Sequence, residues 1–235
     1  MTKYLITKPK IVLFDWDNTI IETNDIFKKA RSLLISKLDL DPKIFETQEC
    51  KAGAHMSGRD KFPSLFGNDW EGVLEEYHRC YKQILNENSN LTMFEGAEKF
   101  LKQLYNDNVL LGIVSNKSHD LLINEVDMFG VKDLFTSIVG SGKALRDKPS
   151  EIHAHHAIDE IISIHDHIAI NDPGECWLIG DSEVDIHCAV NARCLPILIN
   201  GSEKAMLEIK NLLNNKVPHM QIDSFEELIQ KYISI

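Results

Sequence analysis

Two carboxylates, Asp15 and Asp17, stand one residue apart directly after the apolar run Ile11-Val-Leu-Phe14. Four apolar residues, partly β-branched and partly aromatic, read as a strand buried on both faces. In an open α/β sheet the carboxyl end of such a strand is where ligands bind. Two acids held that close repel each other unless a cation or a reaction uses them. Three further polar clusters follow other apolar runs. Leu111-Gly-Ile-Val-Ser115-Asn116 ends in a hydroxyl followed by backbone amides entering a helix, a combination that suits a phosphate oxygen. Lys148-Pro149 stands where a loop enters a helix, so its ammonium would add to the helix dipole in neutralising an anion. Gly180-Asp181-Ser-Glu-Val-Asp185 sets a glycine at a tight strand-to-helix turn, and one helical turn aims Asp181 and Asp185 at the same point. Taken singly, each cluster has a plain structural explanation: Ser, Asn and Asp all cap helices, and a lone lysine is ordinarily solvated.

The elements that must position these groups alternate along the chain. An amphipathic helix through Ala97, Phe100, Leu101, Leu104 and Tyr105 precedes a strand over 109–114. A helix from about Ser118 ends near Gly130, a suitable C′ residue, and strands follow over 135–139, 176–179, 195–199 and 221–222. Pro149 opens a helix whose buried face is expected to hold Ala154, Ala157, Ile158, Ile161 and Ile162, leaving His153, His156 and Glu160 outside it. Ser224-Phe-Glu-Glu227 is a capping box for the last helix. Such alternation implies a parallel sheet covered on both faces. The segment 23–91 differs, being helical throughout. Ile26, Ala30, Leu33, Leu34 and Leu38 make one stripe, and Val73, Leu74, Tyr77, Tyr81 and Leu85 make another. Asp41-Pro42 reads as an N-cap followed by proline at the first helical position, and the polar run 86–90 closes the segment. The expected organisation is therefore α/β: a three-layer Rossmann-like core of residues 1–22 and 92–235, with an inserted all-helical cap domain over 23–91.

Composition narrows the partners. The 235 residues are 43% hydrophobic, and 36 acidic against 25 basic residues give a formal charge of −11. No dense Lys/Arg stripe overrides that field, so a nucleic-acid partner is not expected. An anionic substrate would need positive charge supplied locally, which Lys148 could provide. Five cysteines, an odd number with no CxxC pair, suit free thiols in the cytoplasm. No stretch approaches the ~18 apolar residues of a membrane span. A monomer is the default expectation, with a dimer as the alternative.

In order and context the four clusters resemble the haloacid dehalogenase-like superfamily. Its Asp-x-Asp-x-Thr motif is matched by Asp15, Asp17 and Thr19, its second-strand Ser/Thr by Ser115, its lysine by Lys148, and its Gly-Asp-x-x-x-Asp motif by Gly180, Asp181 and Asp185. Trp16 replaces the more frequent Leu, and Asn18 the frequent Gly. The resemblance implies a phosphatase acting on a small phosphorylated metabolite through an aspartyl-phosphate intermediate, with Asp15 as nucleophile and Asp17 as general acid and base. It implies Thr19, Ser115, Asn116 and Lys148 as phosphate contacts. Mg²⁺ would be bound by Asp15, the Asp17 backbone carbonyl and Asp181, with Asp185 orienting the metal-facing loop. Haloalkanoic acid dehalogenases of the superfamily lack an acid at the position of Asp17, so a phosphate ester is the expected substrate. The loop from Gly53 to Phe62 looks like one that such caps lower over the substrate, placing Ser57, Arg59 and Lys61 as candidate substrate contacts. The layout is most similar to phosphoglycolate phosphatase-like members. A phosphotransferase of the β-phosphoglucomutase kind and a non-catalytic binding protein are the alternatives.

Overall fold

A computed structural model describes residues 7–47, 55–87, 91–201, 205–207, 209–210 and 219–235. Its centre is a six-stranded sheet: β1 (Ile11–Phe14), β2 (Leu110–Ser118), β3 (Ser137–Ser141), β4 (Cys176–Gly180), β5 (Leu195–Ile199) and β6 (Met220–Ile222). All pairings are parallel, in the spatial order β3-β2-β1-β4-β5-β6. The chain winds outward from β1 in one direction through β3, then returns to β1's other side with β4. The crevice at the carboxyl ends of β1 and β4 is thus the topological switch point, where open sheets of this kind bind ligands. Register makes it tight: Phe14 lies opposite Ile179, and the Asp15 amide donates to the Ile179 carbonyl at 2.8 Å.

Side-chain alternation divides β1 between two cores. Val12 and Phe14 join a large cluster on one face, while Ile11 and Leu13 join a second cluster on the other. The larger core is closed by α4 (Ala97–Asn106), α5 (His119–Met128) and α8 (Phe225–Ile233), and the smaller by α6 (Glu151–Ile164) and α7 (Glu183–Asn191), giving three layers. Half of the expected capping box is present at α8, where the Glu227 amide donates to Ser224 Oγ at 3.2 Å, while the Glu227 carboxylate accepts from the Asp223 amide at 3.0 Å instead of from Ser224. Gly130 adopts φ +64 just past α5, a conformation glycine reaches without strain.

Between β1 and α4 the described elements are helical: α1 (Asn24–Leu38), α2 (Gly58–Phe66) and α3 (Trp70–Glu87), with short 3₁₀ turns. Ile26, Ala30 and Leu34 of α1 pack on Cys80, Tyr81, Ile84 and Leu85 of α3, and the core contributes Leu121 to this third cluster. Asp41 does cap Lys43, but the turn after Pro42 is 3₁₀ and ends at Glu46.

Several local expectations differ from the structure. The third strand begins two residues later than expected, because a 3₁₀ turn at Lys132–Leu134 precedes it and Phe135 packs edge-on to Phe14. α6 starts at Glu151 under a Ser150 cap, not at Pro149. His153 is completely buried, although the apolar pattern put it outside. Its ring turns back to accept a hydrogen bond from the Lys148 amide at 3.1 Å, so it belongs to the loop before the helix as much as to the helix itself. The start of the loop from Gly53, part of the turn at 86–90, and Cys50 fall outside the described residues. The other four cysteines are unpaired. Among the described residues no helix is long and apolar enough to cross a membrane.

Candidate active site

Lys148 is the centre of the site. Its ammonium lies 2.7 Å from Asp15 Oδ1 and 2.7 Å from Asp185 Oδ1, in a side chain that is 1% exposed. Burial disfavours the charge, but the two carboxylates outweigh it and hold the Lys148 pKa above its ordinary value. Asp185 is in turn fixed from behind, its Oδ2 accepting from the Ser182 amide and hydroxyl. That capping box fits only because residue 180 is glycine: a Cβ there would fall 2.3 Å from Asp185 Cγ.

Asp15, Asp181 and Asp185 can each present one carboxylate oxygen so that all three lie within 4.8 Å of one another. One lysine cannot neutralise three acids. Burial, partly opposed by Lys148, raises Asp15 to about 7, and burial together with Asp185 and Asp15 pushes Asp181 well up. An oxygen-only donor set that is short of positive charge suits a hard divalent cation such as Mg²⁺. Both Asp185 oxygens are already engaged by the protein, which leaves Asp15 and Asp181 as the side chains with coordination to offer.

Asp17 points away from that cluster. Its Oδ1 is 2.7 Å from the ammonium of Lys117, so its side chain is not gathered with the other acids. Burial raises the Asp17 pKa even with Lys117 beside it. Asn18 adopts φ +57, which accounts for an Asn standing where glycine is frequent, and its Oδ1 accepts from the Thr23 amide at 3.3 Å. Trp16, between the two acids, is buried away from the crevice and donates to Glu125.

The other candidates divide. Ser115 is buried and lines the cavity. Asn116 lines it too, but its amide bridges backbone: Oδ1 accepts from the Lys148 amide at 3.0 Å, and Nδ2 donates to the Lys148 and His55 carbonyls, each at 2.9 Å. It thereby clips the lysine loop to the insertion. The Thr19 hydroxyl is buried without a hydrogen-bond partner and lies outside the cavity lining. Of the loop residues, Lys61 lines the cavity, whereas Arg59 does not. Arg59 makes a two-point pair with Asp147 (2.7 and 2.9 Å) and donates to the Ala144 carbonyl, so it ties the insertion to the core rather than facing substrate. Ser57 is buried beside it, donating to Asp60 at 3.0 Å. Burial pushes the Asp147 carboxyl up, but hydrogen bonds from Ser141 and Arg59 win and bring it below its ordinary value.

The cavity between insertion and sheet measures about 340 Å³. Its floor is Asp15, Asp17, Ser115, Lys117, Lys148 and Asp181, and its roof includes Phe27, Arg31, Lys61, Phe62, Tyr77 and His78. Acids and ammonium groups thus lie at the sheet edge, with aromatic rings and further cations above.

Sequence reasoning passed over Lys117, Glu125 and Asp147, and it set His153 on the outer face of its helix. Lys117 could have been found, since it stands two residues beyond Ser115 and so on the same side of the strand. Glu125 could also have been found, as the one acid on the stripe Leu121-Leu122-Glu125-Val126 of α5.

Residues 12–199 match the family described as haloacid dehalogenase-like hydrolase. The chain is 25% identical over 197 residues to a phosphoglycolate phosphatase of Chromobacterium violaceum, covering 81% of this chain and 84% of that one. It is 24% identical over 184 residues to the pyrophosphatase PpaX of Listeria welshimeri, covering 78% and 80%. Among solved structures, a HAD-superfamily hydrolase from Ehrlichia chaffeensis superposes with a TM-score of 0.63 at 24% identity, covering 98% of each chain.

Proposed function

The chain belongs to the haloacid dehalogenase-like hydrolases, and on that premise we propose that it is a Mg²⁺-dependent phosphatase of a small phosphate ester, working through a phosphorylated Asp15. The observation that carries this reading is the convergence of Asp15, Asp181, Asp185 and Lys148 on the switch-point crevice, beneath the helices of the insertion. Asp15 has the position of a nucleophile: it ends the central strand, lines the cavity, and has one oxygen tied to Lys148. Attack of its carboxylate on phosphorus forms a P–O bond as the ester P–O bond breaks, splitting hydrolysis into two easier steps. Asp17 gives its proton to the departing alcohol and then takes one from the water that cleaves the acyl phosphate. Burial keeps the Asp17 carboxyl more readily protonated than an exposed one, which suits a group that must first act as an acid.

Lys148, Ser115 and the amides entering α5 would surround the phosphoryl oxygens. Asn116 holds the lysine loop, and Thr19 is assigned to the phosphate loop from the sequence motif. Mg²⁺ would be held by Asp15, the Asp17 backbone carbonyl and Asp181, with Asp185 fixing Lys148 and the loop. When bound, it supplies the positive charge that the transferring phosphoryl group needs. The helices of 23–91 form a cap domain on the core of 1–22 and 92–235. A chamber of about 340 Å³ beneath them limits the substrate to a small molecule, and closure over that substrate would exclude water. The Arg31 and Lys61 cations in the roof suit a substrate with a second anionic group, as the names of both curated relatives indicate. The unpaired thiols support a cytoplasmic location, and a monomer is sufficient to build the site.

The test is phosphate release from a panel containing 2-phosphoglycolate, inorganic pyrophosphate and sugar phosphates, with Mg²⁺ or with chelator. Release from one or two members that chelator abolishes is the expected result. Equal release with and without Mg²⁺, or release that survives in Asp15→Asn, would refute the assignment.

A further inference from the structure

Behind Asp17 lies a buried polar cluster that the reaction as described does not use. Lys117 Nζ contacts three groups: Asp17 Oδ1 at 2.7 Å, Glu125 Oε2 at 2.5 Å and the Tyr81 hydroxyl at 2.9 Å. Two of its N–H donors are taken by Glu125 and the Tyr81 hydroxyl, and Asp17 is held beside it as a close ion pair. Glu125, wholly buried, has both oxygens bonded, with Tyr81 OH donating to Oε1 at 2.7 Å and Trp16 Nε1 donating to Oε2 at 2.9 Å beside Lys117. The Lys117 ammonium also sits 5.4 Å from the centre of the Phe27 ring, on the insertion. The members come from four places in the chain: Trp16 and Asp17 from the loop after β1, Lys117 from the end of β2, Glu125 from α5, and Tyr81 from α3 of the insertion.

Stability alone does not account for this cluster. Removing two full charges from water costs several kcal/mol per ion, and well-packed hydrophobic residues generally serve a core as well or better. What the cluster does achieve is geometric. Glu125 grips the Asp15–Asp17 loop at two points, directly through Trp16 and indirectly through Lys117. It also fixes the ammonium from behind, so that Lys117 meets only one oxygen of Asp17. Asp17 itself lines the cavity.

We propose that Lys117, Glu125 and Tyr81 are positioning residues that clamp Asp17 for proton transfer to the leaving group, and that the clamp is complete only when the helical insertion seats Tyr81 on the core. This rests on Asp17 being the proton donor of the proposed reaction. Closure of the insertion would then do more than exclude water: it would set the acid in place, so a substrate that does not allow closure would be bound but poorly cleaved.

The test uses substituted phenyl phosphates, from p-nitrophenyl to p-methoxyphenyl, with single-turnover phenol release measured in the full-length, Mg²⁺-loaded enzyme. These esters share a shape and differ in how much the leaving oxygen needs a proton. Asp17→Asn, Glu125→Gln, Lys117→Met and Tyr81→Phe are compared with the parent protein. A misplaced acid steepens the dependence of rate on leaving-group pKa. In Glu125→Gln and Tyr81→Phe the poorest leaving group should lose at least about tenfold and the p-nitrophenyl ester less than about threefold, within the range that general acid catalysis contributes. KM should stay within about twofold, and Lys117→Arg should recover part of what Lys117→Met loses. A uniform loss across the series, with unchanged slope, would mean the cluster is only structural and would overturn the proposal. If Asp17→Asn itself leaves the slope unchanged, the proton-donor reading fails. If Asp17→Asn steepens the slope and the clamp variants do not, only the clamp fails. Should Glu125→Gln not fold, Tyr81→Phe, which removes a single oxygen, decides by the same slope.

Discussion

His153 should make the protein acid-sensitive in a way that a single substitution can isolate. Burial, with Lys148 close by, lowers its pKa from 6.5 to about 4. It is therefore neutral near pH 7, with Nδ1 free to accept the 3.1 Å hydrogen bond from the Lys148 amide. The unfolded chain protonates this histidine near pH 6.5 and the folded chain only near pH 4, so between those values the unfolded state binds more protons. Its contribution to stability is complete above the unfolded pKa and is lost as pH falls towards and through the folded one. At ~1.4 kcal/mol per unit, the full loss is about 3 kcal/mol, of which about 2 kcal/mol is gone by pH 5. Asp15, raised to about 7, has the opposite sign and gains stability as pH falls, so the total change does not isolate the histidine. The comparison that does is His153→Asn, whose carbonyl oxygen can accept the same hydrogen bond but does not titrate. Urea unfolding of the metal-free protein at about pH 7.5 and about pH 5 should show the parent losing about 2 kcal/mol more than the variant over that interval. Equal losses in the two proteins would refute the reasoning, because the Lys148 loop would then not depend on a neutral His153.

Other expectations concern metal, cap and loop. Because Asp15 must ionise to bind a cation and its carboxyl sits near 7, Mg²⁺ affinity should weaken up to about tenfold per unit as pH falls below 7, with proton release on binding. Calorimetry in buffers of different ionisation enthalpy would reveal the released proton. Arg59→Met strands the buried Asp147 carboxylate and should cost about 1–2 kcal/mol in urea unfolding, while raising KM. A double mutant with Asp147→Asn should be less than additive, and strict additivity would contradict the latch. Gly180→Ala drives a methyl into Asp185 and should lower stability by about 1–3 kcal/mol. It should also reduce turnover at least tenfold by releasing Lys148, about the ~1.4 kcal/mol that one lost positioning contact represents. A variant with normal turnover would show that Asp185 does not set the lysine.

The core was legible because its signals are local. Apolar runs bounded by Gly, Ser and Asp mark β1, β2, β4 and β5 within a few residues, and the four polar clusters sit at strand ends as spacing requires. The third strand was misplaced because Phe135, strand-like by type, serves the core from a turn. Arg59 was misread for a different reason. Exposed position and charge are visible in sequence, but its partner Asp147 is 88 residues away. His153 shows the same limit, since a buried polar side chain is explained only by the loop amide that folds onto it. The Lys117–Glu125–Tyr81 cluster required α3 of the insertion to meet β2, α5 and the loop after β1, although the isolated acid on the apolar stripe of α5 was a signal that it existed.

Whether Asp15 becomes phosphorylated is the central question, and Asp17→Asn offers the way to see it. That variant can still be phosphorylated by p-nitrophenyl phosphate, whose leaving group needs no proton, but lacks the base that clears the intermediate. Rapid acid quench followed by peptide mass spectrometry should find phosphate on Asp15 in near-stoichiometric amount, and none in Asp15→Asn. An unmodified Asp15 alongside p-nitrophenol release, or release that persists in Asp15→Asn, would contradict the covalent mechanism.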